Sequence, residues 1–218
     1  MKKGIFIAIL NQGSIRSELS NLMLQLSLQD KYNLIISYPA EKPISNNRNK
    51  IVQEFLATPG MDYLLMIDGD IIPSINILNL ADFQKDIIGA LCFIYQQNMV
   101  IPIALKRNPE GKYDVIQFRG DEGLSEVDAV GTGCIMISRE VLEKVKHPFE
   151  NIYDPDGIKK YGLDISFCQK AKEQGFKVYS HLDYACSHWS IMDLKLVYQA
   201  LLPLKEKWNS QTQAKTQG

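Results

Sequence analysis

Two aspartates stand at the end of the most apolar strand-like segment of the chain. Tyr63-Leu-Leu-Met-Ile67 is followed directly by Asp68-Gly69-Asp70. Carboxylate oxygens are hard ligands, and the glycine between them leaves room for a phosphate, so the triplet suits a magnesium or manganese ion on a diphosphate. A bare D-x-D also occurs in turns with solvated carboxylates, but the buried strand before it and Arg48-Asn49 upstream favour a functional interpretation.

Two other phosphate-handling motifs do not fit the residues present. A phosphatase-type nucleophilic aspartate needs a threonine or serine soon after it, and Ile71-Ile72-Pro73 supplies neither. Gly131-Thr132-Gly133 is not a dinucleotide fingerprint, because Met136 occupies the position of the third glycine and a strand follows. The glycine triplet is therefore either a tight turn or a place where a sugar passes close to the backbone.

Two further side chains could take part in such chemistry, and each has an ordinary structural alternative. Asp164 lies at a predicted helix start, where an N-cap is the more common role. His188 follows the last predicted strand, where a packed or capping role is usual and a metal role needs further support. His147 lies in a predicted loop and His181 follows a strand, and neither is assigned a role.

The elements that must position these residues alternate between strands and helices, which is typical of an α/β fold. Strands are predicted at residues 4–10, 33–38, 63–67, 86–95, 134–137 and 177–179, and a hairpin at 101–105 with 113–118. Helices are predicted at 17–29, after 45–47, at 139–145 and at 164–173, with a loop at 146–163 and an amphipathic segment at 192–208. Ligands bind beyond the carboxyl ends of strands in open α/β sheets, so Asp68 and Asp70 stand where substrates bind.

Composition limits the class of protein. The 218 residues, 45% of them hydrophobic, predict a single domain at 1–209 with a disordered polar tail at 210–218. Lysine and arginine number 24 against 25 aspartates and glutamates, so a nucleic-acid partner is not favoured. Four scattered cysteines without a C-x-x-C pair fit the cytoplasm, and no stretch approaches the roughly 20 apolar residues of a membrane span, which leaves only peripheral membrane contact.

The order of these motifs resembles the GT-A glycosyltransferases, especially the small family-2-like enzymes of bacteria and phages. The similarity extends from residue 4 to about residue 190. The segments that carry it are 46–49, 62–73, 86–89, 127–134 and 162–178. The resemblance implies a GT-A fold, with a mostly parallel central sheet flanked by helices.

The resemblance also implies roles for individual residues. Metal ligands would be Asp68, Asp70 and His188; nucleotide-sugar contacts would come from Arg48, Asp68, Gly131, Thr132 and Gly133; the catalytic carboxylate would be Asp164. These enzymes usually carry Glu-Asp where this chain has Leu163-Asp164, so the catalytic aspartate is kept while its neighbour differs.

The reaction implied by the resemblance moves a sugar from a nucleoside-diphosphate sugar to a hydroxyl or amine of a glycan, lipid-linked or protein acceptor. Asp164 would accept the acceptor proton, and a divalent cation, Mn²⁺ or Mg²⁺, would neutralise the departing diphosphate, with inversion at the anomeric carbon. Two alternatives stay open. The first is a sugar-phosphate nucleotidyltransferase, which would share the sheet but should have a glycine-rich basic loop after strand one, whereas residues 11–16 contain one glycine. The second is a non-catalytic nucleotide-sugar or carbohydrate-binding protein, which the replacement of the usual glutamate by Leu163 makes plausible.

Overall fold

The computed structural model describes residues 2–96, 99–116, 123–191, 194, 195, 197 and 199–203. The helices are α1 (Ser17–Ser27), α2 (Ile44–Ala57), α3 (Arg139–Lys144) and α4 (Leu163–Glu173), with a 3₁₀ helix at Ile77–Phe83. The strands are β1 (Gly4–Leu10), β2 (Asn33–Ser37), β3 (Tyr63–Asp68), β4 (Ile71–Ile72), β5 (Ile87–Leu91), β6 (Phe93–Gln96), β7 (Met99–Pro102), β8 (Ala104–Arg107), β9 (Tyr113–Val115), β10 (Leu124–Val127), β11 (Ala129–Val130), β12 (Cys134–Ser138), β13 (Ile152–Tyr153), β14 (Lys159–Tyr161), β15 (Val178–Ala185) and β16 (Ser187–His188).

A seven-stranded sheet forms the centre of the molecule, in the order β10-β15-β5-β12-β3-β1-β2. Strands β1, β2 and β3 run parallel, β12 runs against both β3 and β5, and β15 runs parallel to β5. Five of the seven strands therefore point the same way, and β12 and the edge strand β10 oppose them. This confirms the predicted α/β class with a mostly parallel central sheet.

The sheet is covered on both faces, and β1 shows why its sequence is apolar throughout. Ile5, Ile7 and Ile9 pack on one face with α1 and the 3₁₀ helix. The alternate residues, from Phe6 to Leu10, pack on the other face with α2, α3 and α4. Because side chains alternate between the faces of a strand, a strand that is covered on both sides needs apolar residues at every position.

Several predicted boundaries differ from the structure. The strand predicted at 86–95 is interrupted at Cys92, and the strand predicted at 177–179 continues to Ala185 as β15. The segment 146–163, predicted as a loop, contains the two-stranded hairpin of β13 and β14. Short strands with exposed lysines lack the apolar alternation that marks a strand in the sequence, which explains why this hairpin was missed.

The C-terminal predictions lie largely outside the described residues. The amphipathic segment at 192–208 is described only in part, and the predicted tail at 210–218 is not described. In the described part of the chain, no helix is long and apolar enough to cross a bilayer.

One edge of the sheet collects the loops that matter for chemistry. The parallel strands β1 and β3 end there, at Leu10 and Asp68, and Gly69 N donates to Leu10 O at 2.7 Å. The segment after β15 reaches the same region because β16 pairs with β4, with His188 opposite Ile71. This short two-stranded pairing connects the end of the last strand to the aspartate turn.

Candidate active site

A cleft of about 660 Å³ opens at this edge of the sheet. Asp68 and Asp70 line one side, the loop between β1 and α1 lines another, and the residues just before α2, including Lys42, contribute a third. Arg16 belongs to the β1–α1 loop and is a residue of the cleft that the sequence analysis did not identify. The rule that loops after parallel strands meet at one edge could have found it.

The aspartate turn is held tightly by backbone contacts. Asp68 N donates to Gly133 O at 2.8 Å, so the turn is attached to the glycine loop as well as to β1. A Cβ on Gly69 would lie 3.1 Å from Leu10 O, closer than most side-chain contacts. The glycine therefore allows the two flanking carboxylates to be presented from a turn packed against the sheet edge.

The buried side chain of Arg48 forms an ion pair with the partly exposed carboxylate of Asp68. Its Nη2 donates to Asp68 Oδ1 at 2.8 Å and Oδ2 at 3.0 Å, and Nη1 donates to Thr132 O at 3.1 Å. Arg48 is only 3% exposed, so its guanidinium faces these protein groups. Its predicted contact with the nucleotide therefore remains a prediction, and the contacts present make Arg48 a support for Asp68 and the glycine loop.

Negative charge accumulates around Asp68. Burial raises the pKa of Asp68, the Arg48 guanidinium opposes that rise, and the nearby carboxylates of Asp164 and Asp70 add to it. Three carboxylates against one buried arginine leave a local excess of negative charge. A cation bound here would relieve that repulsion.

The glycine loop connects the aspartate turn to α4. Thr132 is buried, and its Oγ1 donates to Asp164 Oδ1 at 2.5 Å. A Cβ on Gly133 would lie 3.3 Å from the Ile71 side chain and 3.5 Å from Asp68 Oδ2. Gly133 is thus packed against β4 and the aspartate turn, whereas contact of the loop with a sugar remains a prediction.

Asp164 is not the N-cap of α4. The helix begins at Leu163, Gly162 is the N-cap residue, and no side chain caps the helix start. Asp164 therefore lies within the first turn, where the helix dipole favours a negative charge. The structure contradicts the N-cap interpretation and leaves the carboxylate free to bond Thr132.

His188 lies beside Asp70. Its Nε2 is 3.4 Å from Asp70 Oδ2, and the backbone N of the next residue, Trp189, donates to Asp70 O at 3.0 Å. The other ring nitrogen, Nδ1, makes a short hydrogen bond with Phe93 O. A carbonyl can only accept, so Nδ1 donates there, and in the neutral tautomer that this bond selects, Nε2 is an acceptor on the side of the Asp70 carboxylate.

Two electron-rich atoms facing each other fit a shared cation. Metal-bound histidines commonly donate their second N–H to a backbone carbonyl, as His188 does to Phe93. The 3.4 Å separation from Asp70 is within the ~4.5 Å that two ligands of one ion can span, and a carboxylate with an imidazole suits a divalent metal. The described residues contain no ready group of three or more His, Cys, Asp or Glu ligands, so a cation here would need oxygens from a bound ligand.

The tryptophan after His188 contacts the cleft residue Arg16. The Arg16 guanidinium carbon lies 3.9 Å from the centroid of the Trp189 ring, a cation–π contact. This contact joins the β1–α1 loop to the His188 segment across the aspartate turn.

Comparison with known proteins supports the fold. No family model matches the chain, and no curated protein sequence matches it. Among solved structures, A197 from STIV is 20% identical over 86% of each chain, with a TM-score of 0.60. A glycosyltransferase involved in glycosylation of the major capsid of PBCV-1 is 16% identical over 64% of this chain and 62% of its own, with a TM-score of 0.36. The inositol-1-phosphate CTP transferase from T. maritima is 13% identical over 94% of this chain and 98% of its own, with a TM-score of 0.42. At these identities the similarity to A197 establishes a shared fold alone, and the two weaker similarities carry no functional argument.

Proposed function

We propose that this protein is a metal-dependent glycosyltransferase that moves a sugar from a nucleoside-diphosphate sugar to an acceptor hydroxyl or amine. The observation that carries the proposal is the pairing of Asp70 Oδ2 with His188 Nε2 at 3.4 Å, beside the cleft at the carboxyl ends of β1 and β3. The two atoms would supply part of a cation site, and the diphosphate of the donor would supply the remaining oxygens.

The donor binds in the cleft of the aspartate turn. Its diphosphate lies near Asp68 and Asp70, where a divalent cation, Mn²⁺ or Mg²⁺, would neutralise the charge of the leaving group. Arg48 holds Asp68 in position from behind, through the two hydrogen bonds to its carboxylate. The glycine loop, residues 131–133, adjoins the aspartate turn through the hydrogen bond from Asp68 N to Gly133 O, and we expect the sugar of the donor to lie on that side.

Asp164 is the proposed general base. As the acceptor oxygen or nitrogen attacks the anomeric carbon, Asp164 takes its proton, and the bond from that carbon to the diphosphate oxygen breaks. Attack from the face opposite the leaving group inverts the anomeric centre. The Thr132 hydroxyl fixes the orientation of Asp164 by donating to Oδ1, so the other oxygen remains available for the proton.

A turnover assay tests this proposal. The protein would be incubated with Mn²⁺ and a panel of UDP, GDP and dTDP sugars, alone and with mixed glycan acceptors, and release of nucleoside diphosphate measured. Asp70→Asn should abolish release, whereas Asp30→Asn, which removes an exposed carboxylate paired with Lys2, should not change it. Absence of nucleoside-diphosphate release from every donor would contradict the proposal.

A nucleotidyltransferase is the second candidate, because the β1–α1 loop and its Arg16 line the same cleft as Asp68 and Asp70. A basic side chain in that loop could bind the triphosphate of a nucleotide substrate. The products distinguish the two reactions: a nucleotidyltransferase releases pyrophosphate from a nucleoside triphosphate and a sugar phosphate, whereas a glycosyltransferase releases a nucleoside diphosphate. A protein that binds these ligands and releases neither product would be a non-catalytic binding protein.

A further inference from the structure

A second cleft, of about 520 Å³, lies beside α4 and is separate in its lining residues from the aspartate cleft. Its walls come from α4, from the hairpin of β13 and β14, and from the ends of β8 and β9. Two tyrosines, an amide and three cationic side chains line it together with Ile152 and the carboxylates of Asp128 and Glu173, so the cationic groups outnumber the acidic ones by one. None of these residues has a role in the proposed catalytic chemistry.

Two tyrosines form the aromatic part of this second cleft. The rings of Tyr113 and Tyr161 meet edge to face, with centroids 5.8 Å apart and planes at 84°. The Gln169 side chain, on α4, lines the same cleft and opposes the rise that burial causes in the pKa of Tyr113. Tyrosine rings offer an apolar face and a polar edge, and an amide beside them adds both a donor and an acceptor, a combination suited to the apolar faces and hydroxyls of a sugar.

Two cationic side chains of the second cleft, Arg107 and Lys160, are available to bind an anion. Lys172 pairs with Asp128, but within the described residues no carboxylate lies within ion-pair distance of Arg107 or Lys160. Arg107 is anchored by its Nε, which donates to Gly111 O at 3.3 Å, and its terminal nitrogens are free for a carboxylate or phosphate. Lys160 Nζ lies 5.4 Å from the Tyr161 ring centroid, so a positive charge borders the aromatic face.

The second cleft and Asp164, the proposed general base, share the helix α4. Tyr161 precedes Asp164 by three residues, and Gln169 follows it on the same helix. A helix rises about 1.5 Å and turns about 100° per residue, so Gln169 lies roughly 7.5 Å along the axis from Asp164 and about 140° around it. Tyr161 is the lining residue nearest to Asp164 in the sequence, so a saccharide acceptor whose reacting group is at Asp164 could extend its next unit past Tyr161 into this cleft.

From this arrangement we propose that the second cleft binds the acceptor, and that the acceptor is a saccharide bearing an anionic group such as a carboxylate, phosphate or sulfate. Tyr161 packs on the sugar ring, Gln169 bonds its hydroxyls, and Arg107 with Lys160 pairs with the anion. The assignment of this ligand as an acceptor rests on the proposed glycosyltransferase function, whereas the binding site itself does not.

Binding of the full chain to an array of neutral and acidic oligosaccharides tests the proposal, with Kd values then measured for the acidic glycans retained. Two variants change the cleft, Tyr161→Ala and Lys160→Gln. Two matched controls change neighbours in the same hairpin that do not line it, Tyr153→Ala and Lys159→Gln. The proposal expects acidic glycans to be retained, Kd to rise by about tenfold in each cleft variant, and the controls to bind as the wild type does.

The outcomes separate this proposal from the catalytic one. Retention of neutral glycans only, retention of none, or equal binding by Lys160→Gln and Lys159→Gln would overturn the anionic acceptor site. Binding of nucleoside diphosphate with Mn²⁺, measured on the same preparations, reports on the donor cleft independently. If acidic glycans bind as expected while no nucleoside diphosphate does, the second cleft stands as a saccharide site and the proposed transferase function fails.

Discussion

Thr132 donates from its hydroxyl to Asp164 Oδ1 at 2.5 Å, which connects the glycine loop directly to the first turn of α4. The same threonine accepts a hydrogen bond from Arg48 through its carbonyl, so one residue contacts both the proposed base and the support of the aspartate turn. Two hydrogen bonds therefore connect the proposed catalytic carboxylate to Arg48, and the ion pair of Arg48 with Asp68 continues the connection to the donor cleft.

Asp164→Asn should lower turnover by at least about 100-fold, because the amide keeps the shape of the side chain but cannot accept the acceptor proton. Nucleoside-diphosphate affinity and thermal unfolding should change little, since the carbonyl oxygen of asparagine can still accept from Thr132. Steady-state rates, calorimetry and thermal melts measure the three properties. A variant that transfers sugar at nearly the wild-type rate would exclude Asp164 as the base.

Thr132→Val should reduce turnover by about tenfold, because valine keeps the branched shape but removes the hydroxyl that orients Asp164. Thr132→Ser retains the hydroxyl and should preserve most of the activity. The comparison of the two variants in the same assay isolates the hydrogen bond from packing. Equal rates for valine and serine would mean that the bond does not orient the base.

His181 gives the folded protein a pH dependence unrelated to the proposed active site. It is buried between Phe83 and Tyr184, and burial lowers its pKa against an opposing effect of Asp183. A histidine with a lowered pKa binds fewer protons when folded, so its contribution to stability is present above the unfolded pKa of about 6.5 and is lost as pH falls.

Urea unfolding at pH 5 and pH 7.5 measures this effect. We expect the wild type to lose stability at the lower pH, and His181→Gln to show a smaller loss. His147→Asn is a suitable control, because His147 is exposed and has a positive φ of 46° that asparagine tolerates. An unchanged pH dependence in His181→Gln would show that this histidine does not titrate with folding.

Arg139 stabilises the junction between α2 and β3. Its guanidinium donates to four backbone carbonyls, at Phe55, Leu56, Thr58 and Met61. Arg139→Lys keeps the charge but loses the planar set of donors, and it should lower the free energy of unfolding by about 2 kcal/mol. The Glu143 carboxylate lies 4.0 Å from the same arginine, and Glu143→Gln should have little effect. Denaturant unfolding in which Glu143→Gln loses more stability than Arg139→Lys would assign the stabilisation to the ion pair instead of the carbonyl bonds.

The sequence predicted those parts of the site that follow from strand ends. Asp68 and Asp70 come directly after a run that is apolar at every position, and such a run marks a strand covered on both faces. The resemblance implied that His188 and Asp70 are ligands of one ion, and in the structure the two side chains lie 3.4 Å apart. The rule that ligands bind beyond the carboxyl ends of strands requires only the positions of the strand ends. Apolar runs followed by turn residues indicate those positions in the sequence.

Contacts between side chains were not predictable in this way. The burial of Arg48 against Asp68 depends on the packing of α2 behind the sheet, and the bond from Thr132 to Asp164 depends on where α4 begins. The helix starts one residue earlier than expected, at Leu163, which packs against the core. Packing of Leu163 against the core accounts for the start of α4, whereas the sequence indicated Asp164 as the N-cap residue.

The central claim is that Asp70 and His188 bind a cation together with the diphosphate of the donor. Isothermal titration of UDP, GDP and dTDP with and without Mn²⁺ tests it most directly, on the wild type and on His188→Gln. His147→Asn, at an exposed position that does not line the cleft and with a positive φ that asparagine tolerates, provides the control. We predict binding of at least one nucleotide that requires Mn²⁺, is abolished by chelator and is weakened by about tenfold or more in His188→Gln alone. Equal affinity with and without Mn²⁺, or equal affinity of His188→Gln and the wild type, would contradict the claim.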